Sequence, residues 1–433
     1  MSRKPSVCIL GAGASGLAVA RLLSVREGLS GRVCSEREPD AAVREAFREV
    51  GFSWDNAGPG AGDGRLVVSP GFAVEHPWLA RAEALGLQPE AEAEVGTSFL
   101  RGRTLAVTGS LGKTTMVMLA AEMLRAHGFT VTLSGNIGRP VSEAALTQAE
   151  ADWHVMELSS FQTECFQCFR PDVGVILNLV PNHLDRHGTL VQYAEAKARM
   201  LRFQTGADLA VVPENYPVPV RTRGRLWRPD PARVPETRGT GFDFPAYREN
   251  LAALMTGLAE VPLKPETVRE VLERFQFPPH RMQVLRHTRG GMIVDDSKST
   301  CLAATRAAMA AMAAVSGRMH VLIGGIPKGD PPEMLLDILR THPVSLYLYG
   351  TSAEGFAACW RDVSEHCGVY RDLPEAVKAV FLHRNAGEPL LFSPGCASFD
   401  QYVSYMERGQ HFQHLIDPIR NPFDPKPSQQ EKP

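Results

Sequence analysis

Short apolar runs alternate along this chain with longer stretches of helical periodicity, and most of the runs end in glycine-rich or polar loops. Examples are VCIL at 7–10 followed by GAGASG, LAVTG at 105–109 followed by SLGKTT, and SLYLYG at 345–350. An apolar run of this length that ends in a glycine turn before a helical stretch is typical of a βα unit. The pattern therefore predicts an α/β fold with parallel, doubly wound sheets.

The strand–loop–helix units fall into three sections, 1–92, 93–278 and 279–433, and a chain of 433 residues is long enough for three domains. We expect a Rossmann-like first domain, a central P-loop-type ATPase domain and a Rossmann-like third domain. The tail DPIRNPFDPKPSQQEKP is rich in proline and polar residues. It is expected to be disordered from about residue 420.

Composition and charge exclude several classes of protein. A net charge of −2 and 22% charged residues give no indication of a nucleic-acid or anionic-membrane partner. No apolar run approaches the roughly 18 residues of a membrane span, and the start MSRKPSVCILGAG lacks a cleavable signal pattern, so a cytoplasmic protein is expected. The eight scattered cysteines suit reduced thiols. We interpret Cys165 and Cys168 as packing residues, with a zinc or redox pair as the open alternative.

The most informative segment is TGSLGKTT at 108–115, which joins an apolar strand to a helical stretch. Backbone N–H groups of such a loop converge on phosphate oxygens at the start of a helix, whose dipole favours negative charge. Lys113 would reach the β- and γ-phosphates, and the Thr114 hydroxyl would bind Mg²⁺. Val107 stands where the strict motif has its first glycine. A βα turn that carries these residues by coincidence therefore stays open.

Polar residues follow two further strands of the central section. Glu157 comes directly after WHVM, where it would join Thr114 as a ligand of Mg²⁺. The segment 178–187, NLVPNHLDRH, follows VGVIL and is densely polar, although a solvated loop would have the same composition. In the next helix Lys197 shares a face with Tyr193, Met200 and Leu201 and is expected to point inward. Periodicity alone favours a lysine that snorkels to the surface, since a lone buried ammonium is costly.

The first section carries the pattern Gly-x-Gly-x-x-Gly at 11–16, after its first strand. Such a turn indicates a nucleotide diphosphate at a helix N-terminus, although glycines are also needed there for close packing. A dehydrogenase would want an acid near residue 36 for a ribose, and Glu36 stands there. That alternative stays open on this segment alone.

Nine motifs, taken in order along the chain, resemble the Mur ligase family. They are TGSLGKTT, GNIG, ELSSFQ, NHLDRHG, YAEAKARML, PHRM, DDSKST, GGIPKG and SPGCASFDQYVSYMERG. SSFQ together with HLDRHG resembles the branch of the family that adds D-glutamate. The resemblance implies an ATP-dependent ligase that joins D-glutamate to UDP-N-acetylmuramoyl-L-alanine through an acyl phosphate, in peptidoglycan biosynthesis. A related ligase that adds L-glutamate, or that acts on another acceptor such as a folate, is the alternative.

The resemblance also implies roles for individual residues, with a monomer expected. The catalytic residues would be Lys113, His183 and Lys197. ATP would contact Gly109, Ser110, Gly112, Lys113, Thr114, Thr115, Asn250, Arg281, Asp296 and Lys298. The UDP-sugar would contact Ser15, Gly71, Asn136, Ser159 and Gln162, and glutamate would contact Thr300, Lys328, Ser398 and Tyr405. Two Mg²⁺ ions would be held by Thr114, Glu157, His183 and a carbamylated Lys197.

The sequence departs from the family pattern at four places. Ser35, next to Glu36, stands where an acid is usual, and Ala246-Tyr247 replaces a common His-Asn. Cys301 replaces an asparagine, and Ile326-Pro327 replaces more polar residues before Lys328. These departures concern substrate contacts and leave the implied metal ligands and the phosphate lysine in place.

Overall fold

Helices and strands alternate along the chain, which confirms the predicted α/β class. The computed structural model describes residues 6–72, 75–238, 240–242, 245–288, 291–313 and 316–417. Within these ranges the strands form three sheets, one in each predicted section. The tail predicted to be disordered lies outside the described residues.

The first sheet is parallel and has the strand order β3-β2-β1-β4-β5. Its strands are β1 (Ser6–Leu10), β2 (Gly31–Cys34), β3 (Phe52–Asp55), β4 (Asp63–Val68) and β5 (Pro89–Ala91). Its helices are α1 (Ala14–Glu27), α2 (Ala41–Glu49), α3 (Pro77–Ala84) and α4 (Glu92–Thr97). A Cβ at Gly16 would lie 1.9 Å from the Gly11 carbonyl oxygen. This glycine therefore serves the close packing of α1 on the preceding turn.

The second sheet is also parallel, in the order β11-β10-β9-β6-β8-β7. Its strands are β6 (Arg101–Thr108), β7 (Val131–Gly135), β8 (Glu150–Glu157), β9 (Val173–Ile176), β10 (Leu209–Val211) and β11 (Arg225–Trp227). Its helices are α5 (Lys113–Ala126), α6 (Val141–Thr147), α7 (Ser160–Thr163), α8 (Leu184–His187), α9 (Leu190–Ala198), α10 (Pro245–Gly257) and α11 (Pro265–Arg274). Because β8, β6 and β9 are neighbours, their carboxyl ends bring three polar segments to one edge.

The third sheet has the order β12-β13-β17-β14-β15-β16. Its strands are β12 (Gln283–Thr288), β13 (Gly291–Asp295), β14 (Met319–Gly324), β15 (Val344–Tyr349), β16 (His366–Tyr370) and β17 (Leu390–Phe392). Its helices are α12 (Leu302–Ala313), α13 (Leu336–Thr341), α14 (Ala353–Trp360), α15 (Leu373–His383) and α16 (Tyr405–Ile416). The strand β12 pairs antiparallel with β13 at the sheet edge and departs from the purely parallel layer that the pattern predicts.

The chain divides into two compact units. The first comprises the described parts of 1–243 and 247–275 and holds the first two sheets, and the second comprises those of 244–246 and 276–433 and holds the third. The division into domains 1–92, 93–278 and 279–433 stays a prediction. Among the described helices, none combines the length and the apolar character needed to cross a membrane.

Within the first unit, α4 packs on α6 and buries the carboxylate of Glu92, which is 1% exposed. Glu92 Oε1 accepts a hydrogen bond from the Ser142 N–H at 2.7 Å. The other oxygen, Oε2, has no hydrogen-bond partner among the described residues. Burial raises the pKa of Glu92 to about 7, because the charged form loses its solvation.

The raised pKa of Glu92 predicts a dependence of stability on pH. Stability from this group is fully present below its ordinary pKa of 4.5 and is lost as the pH rises through about 7. Glu92→Gln keeps the acceptor for Ser142 and carries no charge. Urea unfolding should therefore show the variant gaining about 2 kcal/mol on the wild type between about pH 5 and pH 8. Glu143→Gln, at an exposed glutamate of α6, serves as the control. An equal gain in both variants would contradict the assignment.

Candidate active site

The loop between β6 and α5 has the form predicted for a phosphate cradle. The strand ends at Thr108, and the helix begins at Lys113. Gly112 has a φ of 78°, a left-handed conformation that favours glycine. The Lys113 Nζ donates to the carbonyl oxygens of Gly109 at 2.8 Å and Ser110 at 3.1 Å. The lysine thus folds over the loop. It lies at the N-terminus of α5, which is the positive end of the helix dipole.

Three oxygen- and amide-bearing side chains meet beside this loop. The Thr114 hydroxyl donates to Glu157 Oε2 at 2.7 Å, and Asn136 Nδ2 donates to Glu157 Oε1 at 2.7 Å. Glu157 is 2% exposed. A buried carboxylate beside a hydroxyl is a donor set that Mg²⁺ accepts, since this cation prefers oxygen ligands. These residues therefore fit the metal that the sequence implies.

Lys197 is buried in the same place, as its position on the helix face predicted. Its side chain is 1% exposed, so a snorkelling lysine is wrong. The Nζ donates to the Gly109 carbonyl at 2.9 Å and lies 4.4 Å from the centre of the Tyr193 ring. Burial, with the positive charge of Lys113 as a second cause, holds the pKa of Lys197 well below its ordinary value. The environment therefore favours a neutral amine, which is the nucleophilic form.

His183 lies at the start of α8 with a φ of 55°, a conformation uncommon for residues other than glycine. Its side chain is exposed, and its ring centre lies 4.9 Å from that of Phe161. Phe161 is in α7, just beyond Glu157. His183 thus lies at the same edge of the second sheet as the phosphate loop, and its side chain is open to solvent.

Arg186 ties this segment to the first sheet, and sequence reasoning missed its contacts. Its guanidinium donates to the carbonyl oxygens of Pro70 and Phe72, in the turn after β4, and pairs with Glu164 at 2.7 Å. The guanidinium carbon also lies 4.2 Å from the centre of the Phe161 ring. Arg186 therefore connects the loop around Gly71 to the segment that carries His183.

The residues predicted to contact a UDP-sugar lie in two groups within the first unit. Ser15 is half-buried in the first turn of α1, and Gly71 is exposed in the turn after β4. The turns meet, since the Ser69 hydroxyl lies 3.5 Å from the Gly11 carbonyl oxygen. Both belong to the carboxyl edge of the first sheet, where α/β folds bind ligands.

The second group consists of Asn136, Ser159 and Gln162. Within it, Ser159 and Gln162 hydrogen-bond to each other. Gln162 Oε1 accepts from the Ser159 N–H at 2.9 Å and from the Ser159 hydroxyl at 3.1 Å, a capping box for α7. Gln162 is 4% exposed. Their side chains therefore fix the start of α7, directly after Glu157.

Asn250 is buried against the phosphate loop. It is 6% exposed, and its Oδ1 accepts a hydrogen bond from Asn178 Nδ2 at 2.8 Å. A Cβ at Gly112 would lie 2.4 Å from Asn250 Nδ2. Asn250 is therefore in contact with the segment that carries the other predicted ATP residues of the first unit, which are Gly109, Ser110, Gly112, Lys113, Thr114 and Thr115.

Three further predicted ATP residues belong to the second unit. The Asp296 carboxylate is buried and accepts from Ser299 Oγ at 2.5 Å and Ser393 Oγ at 2.9 Å, and burial raises its pKa to about 6. Lys298 Nζ lies 4.0 Å from the centre of the Tyr405 ring. Arg281 is half-buried. All three lie near the carboxyl end of β13 or directly before β12.

The predicted glutamate residues also gather in the second unit. Lys328 Nζ donates to Thr300 Oγ1 at 3.1 Å. Ile326 pairs with Ala397 through two backbone hydrogen bonds of 2.9 Å, which brings the loop of Lys328 beside that of Ser398. Because Ile326 is bound through its backbone, this departure from the family pattern leaves the pairing of the two loops intact.

The structure shows the surroundings of several other residues that depart from the family pattern. Ser35 Oγ accepts from Trp54 Nε1 at 2.9 Å, and Glu36 contacts His76 at 3.2 Å. Tyr247 and Cys301 are both buried. Cys165 is buried, as expected of a packing residue, whereas Cys168 is exposed, so the interpretation as a packing residue is wrong for Cys168. No group of three or more His, Cys, Asp or Glu side chains suited to a metal occurs in the described ranges.

Known proteins resemble this chain in sequence and in fold. The profile of the Mur ligase middle domain matches residues 107–226. The chain is 33% identical over 423 residues to the UDP-N-acetylmuramoylalanine–D-glutamate ligase of Desulfovibrio desulfuricans, covering 94% of this chain and 95% of the relative. It is 36% identical to the same-named enzyme of Nitratidesulfovibrio vulgaris, covering 95% and 96%. The crystal structure of a MurF ligase from Thermotoga maritima in complex with ADP has a TM-score of 0.60 at 16% identity, covering 89% of this chain and 94% of that chain. This structure is similar in fold.

Proposed function

This chain belongs to the Mur ligase family, among the UDP-N-acetylmuramoylalanine–D-glutamate ligases, and we propose that it joins D-glutamate to UDP-N-acetylmuramoyl-L-alanine at the expense of ATP. It is an acid–amino-acid ligase of peptidoglycan synthesis and cell wall biogenesis. The observation that carries the proposal is the contact of the phosphate loop with Thr114, Glu157 and Lys197 at one sheet edge. The reaction belongs in the cytoplasm, where ATP is supplied.

The chemistry requires activation of a carboxylate, which does not react with an amine at neutral pH. The alanyl carboxylate of the acceptor attacks the γ-phosphorus of ATP, so that an acyl phosphate forms and ADP leaves. The amine of D-glutamate then attacks the acyl carbon, and the tetrahedral intermediate loses inorganic phosphate and a proton to give the amide. Most of the catalysis in such a transfer is positioning and neutralisation of phosphoryl charge.

Residues of the first unit bind the phosphates and the metal ions. The phosphates are held by Gly109, Ser110, Gly112, Thr115 and the Lys113 side chain. Thr114 and Glu157 would hold one Mg²⁺, and His183 with Lys197 would hold a second, the ions supplying positive charge at the reacting oxygens. Lys197 is carbamylated: its neutral amine adds to CO₂ and loses a proton, which converts a buried donor into an oxygen ligand. Its depressed pKa and burial support this modification.

Substrate recognition is assigned to residues at the carboxyl edges of the sheets. The UDP-sugar is contacted by Ser15, Gly71, Asn136, Ser159 and Gln162. Thr300 and Lys328 hold the α-carboxylate of glutamate, and Ser398 with Tyr405 holds the side-chain carboxylate, since carboxylates pair with cations and hydroxyls. The remaining nucleotide contacts are assigned to Asn250, Arg281, Asp296 and Lys298.

A phosphate-release assay tests this function. The purified chain with ATP, Mg²⁺ and UDP-N-acetylmuramoyl-L-alanine should release phosphate when D-glutamate is added. Parallel reactions with L-glutamate, and with a folate in place of the UDP-sugar, should release little. Preferred turnover of L-glutamate or of the folate would establish the alternative ligase instead.

Lys328→Ala should raise the KM for glutamate by about 10- to 100-fold, the scale of one lost hydrogen bond to a charged group. The reason is that the cation beside Thr300 no longer pairs with the α-carboxylate. Acyl-phosphate formation, followed by trapping with borohydride, should stay measurable. Lys378→Ala, at an exposed lysine of α15, is the matched control. An unchanged KM in Lys328→Ala would mean that Ile326-Pro327 has redirected this loop.

A further inference from the structure

The side chain of Asn178, just beyond β9, hydrogen-bonds to the phosphate loop through both of its polar atoms. Its Oδ1 accepts from the N–H groups of Ser110 at 3.1 Å and Leu111 at 3.0 Å. Its Nδ2 donates to the carbonyl oxygen of Leu111 at 2.9 Å. One side chain therefore fixes three consecutive peptide units of the loop.

The remaining hydrogen of the Asn178 amide is also used. Nδ2 donates to Asn250 Oδ1 at 2.8 Å, and Asn250 in turn contacts Gly112. A carboxamide offers two donor hydrogens and two acceptor lone pairs, and here all four are used. The loop is thus held from two sides by a pair of asparagines that are bonded to each other.

We propose that Asn178 is a positioning residue that holds the phosphate loop in its nucleotide-binding form and couples it to Asn250. The inference rests on the proposed function, because it assumes that the loop binds ATP. A glycine-bearing loop loses conformational freedom when it closes around phosphates, and a loop that is already fixed binds more tightly because this cost is avoided. The anchor lies two residues beyond β9, an inner strand of the second sheet.

Asn178→Ala should weaken equilibrium binding of ATP, measured calorimetrically without acceptor or glutamate, by about tenfold or more, the scale of a lost buried hydrogen-bond set. Affinity for UDP-N-acetylmuramoyl-L-alanine should stay within about twofold of the wild type, because a substitution at one site has little effect on a distant, independent site. Asn178→Asp keeps the acceptor for Ser110 and Leu111 but loses both donated bonds. It should also lose ATP affinity, because a carboxylate would face the Leu111 carbonyl.

Gln204→Ala separates positioning from a general loss of stability. This carboxamide is 1% exposed and donates to the carbonyl oxygens of Pro171 at 3.0 Å and Leu209 at 2.9 Å, near the opposite end of β9. Its removal should lower the Tm as Asn178→Ala does, yet leave ATP affinity unchanged. Equal losses of ATP affinity in both variants, or wild-type affinity in Asn178→Ala, would overturn the proposal.

A double-mutant cycle with Asn250→Ala tests the coupling between the two asparagines. If Asn178 acts partly through Asn250, the loss in the double variant should be smaller than the sum of the single losses. Strictly additive losses would contradict the coupling. Because the readout is binding of ATP alone, a wild-type chain that binds ATP but fails to join D-glutamate would reject the proposed reaction and leave this test intact.

Discussion

Replacement of Lys197 by methionine should lower the rate of ligation by about 10²–10³-fold, the cost of losing one group that stabilises charge in the transition state. The variant keeps the apolar stem and removes the amine that would carry the carbamate. ATP affinity should fall far less than turnover, since the residues proposed to hold the phosphates lie in the loop between β6 and α5 and at the start of α5. Steady-state kinetics and ATP binding measured on the same preparation give both quantities.

Two further measurements separate a carbamate from a purely structural lysine. Lys197→Ala leaves space in which a short carboxylic acid such as acetate would replace the missing oxygens, and added acetate should restore part of the rate. The Lys197→Met protein should unfold at a temperature equal to or above that of the wild type, because a buried amine is exchanged for an apolar group. Full activity in either variant would remove the carbamate from the mechanism.

The sequence predicts the layered α/β fold because each buried strand is an apolar run that ends at a polar or glycine turn. It fails at β12, where QVLRHT has neither a continuous apolar run nor a glycine turn before a helix. This strand is positioned by antiparallel pairing with β13, a long-range contact that local pattern does not encode.

The candidate site divides in the same way. Loop residues and strand-end acids follow from local sequence, since a parallel sheet brings the carboxyl ends of its strands to one edge. Asn178 and Arg186 could be read only as members of a polar segment, because their partners are backbone groups of Leu111, Pro70 and Phe72, distant in the chain. Lys197 lies between these cases. Its helix face was predictable, whereas its contact with the Gly109 carbonyl depends on tertiary packing.

Glu157→Gln should reduce turnover by about 10²–10³-fold while the fold is retained. Glutamine has the size of glutamate, and its amide can satisfy both Thr114 and Asn136, which now bond to the two carboxylate oxygens at 2.7 Å. What disappears is the negative charge that, in the proposed site, would offset Mg²⁺ beside the phosphates. The apparent affinity for Mg²⁺ should therefore fall together with kcat, and raised Mg²⁺ should restore part of the rate.

Asp152→Asn is the matched control, because Asp152 lies near the amino end of the same strand, where it accepts hydrogen bonds from Thr130. The two variants remove one carboxylate charge each from β8, but only Glu157 lies at the edge that carries the phosphate loop. The control should keep wild-type kinetics and Mg²⁺ dependence. Turnover of Glu157→Gln within about tenfold of the wild type would show that this carboxylate is not a metal ligand, since a group in that role costs more. The bond between Glu157 and Thr114 would then serve only to anchor the first turn of α5.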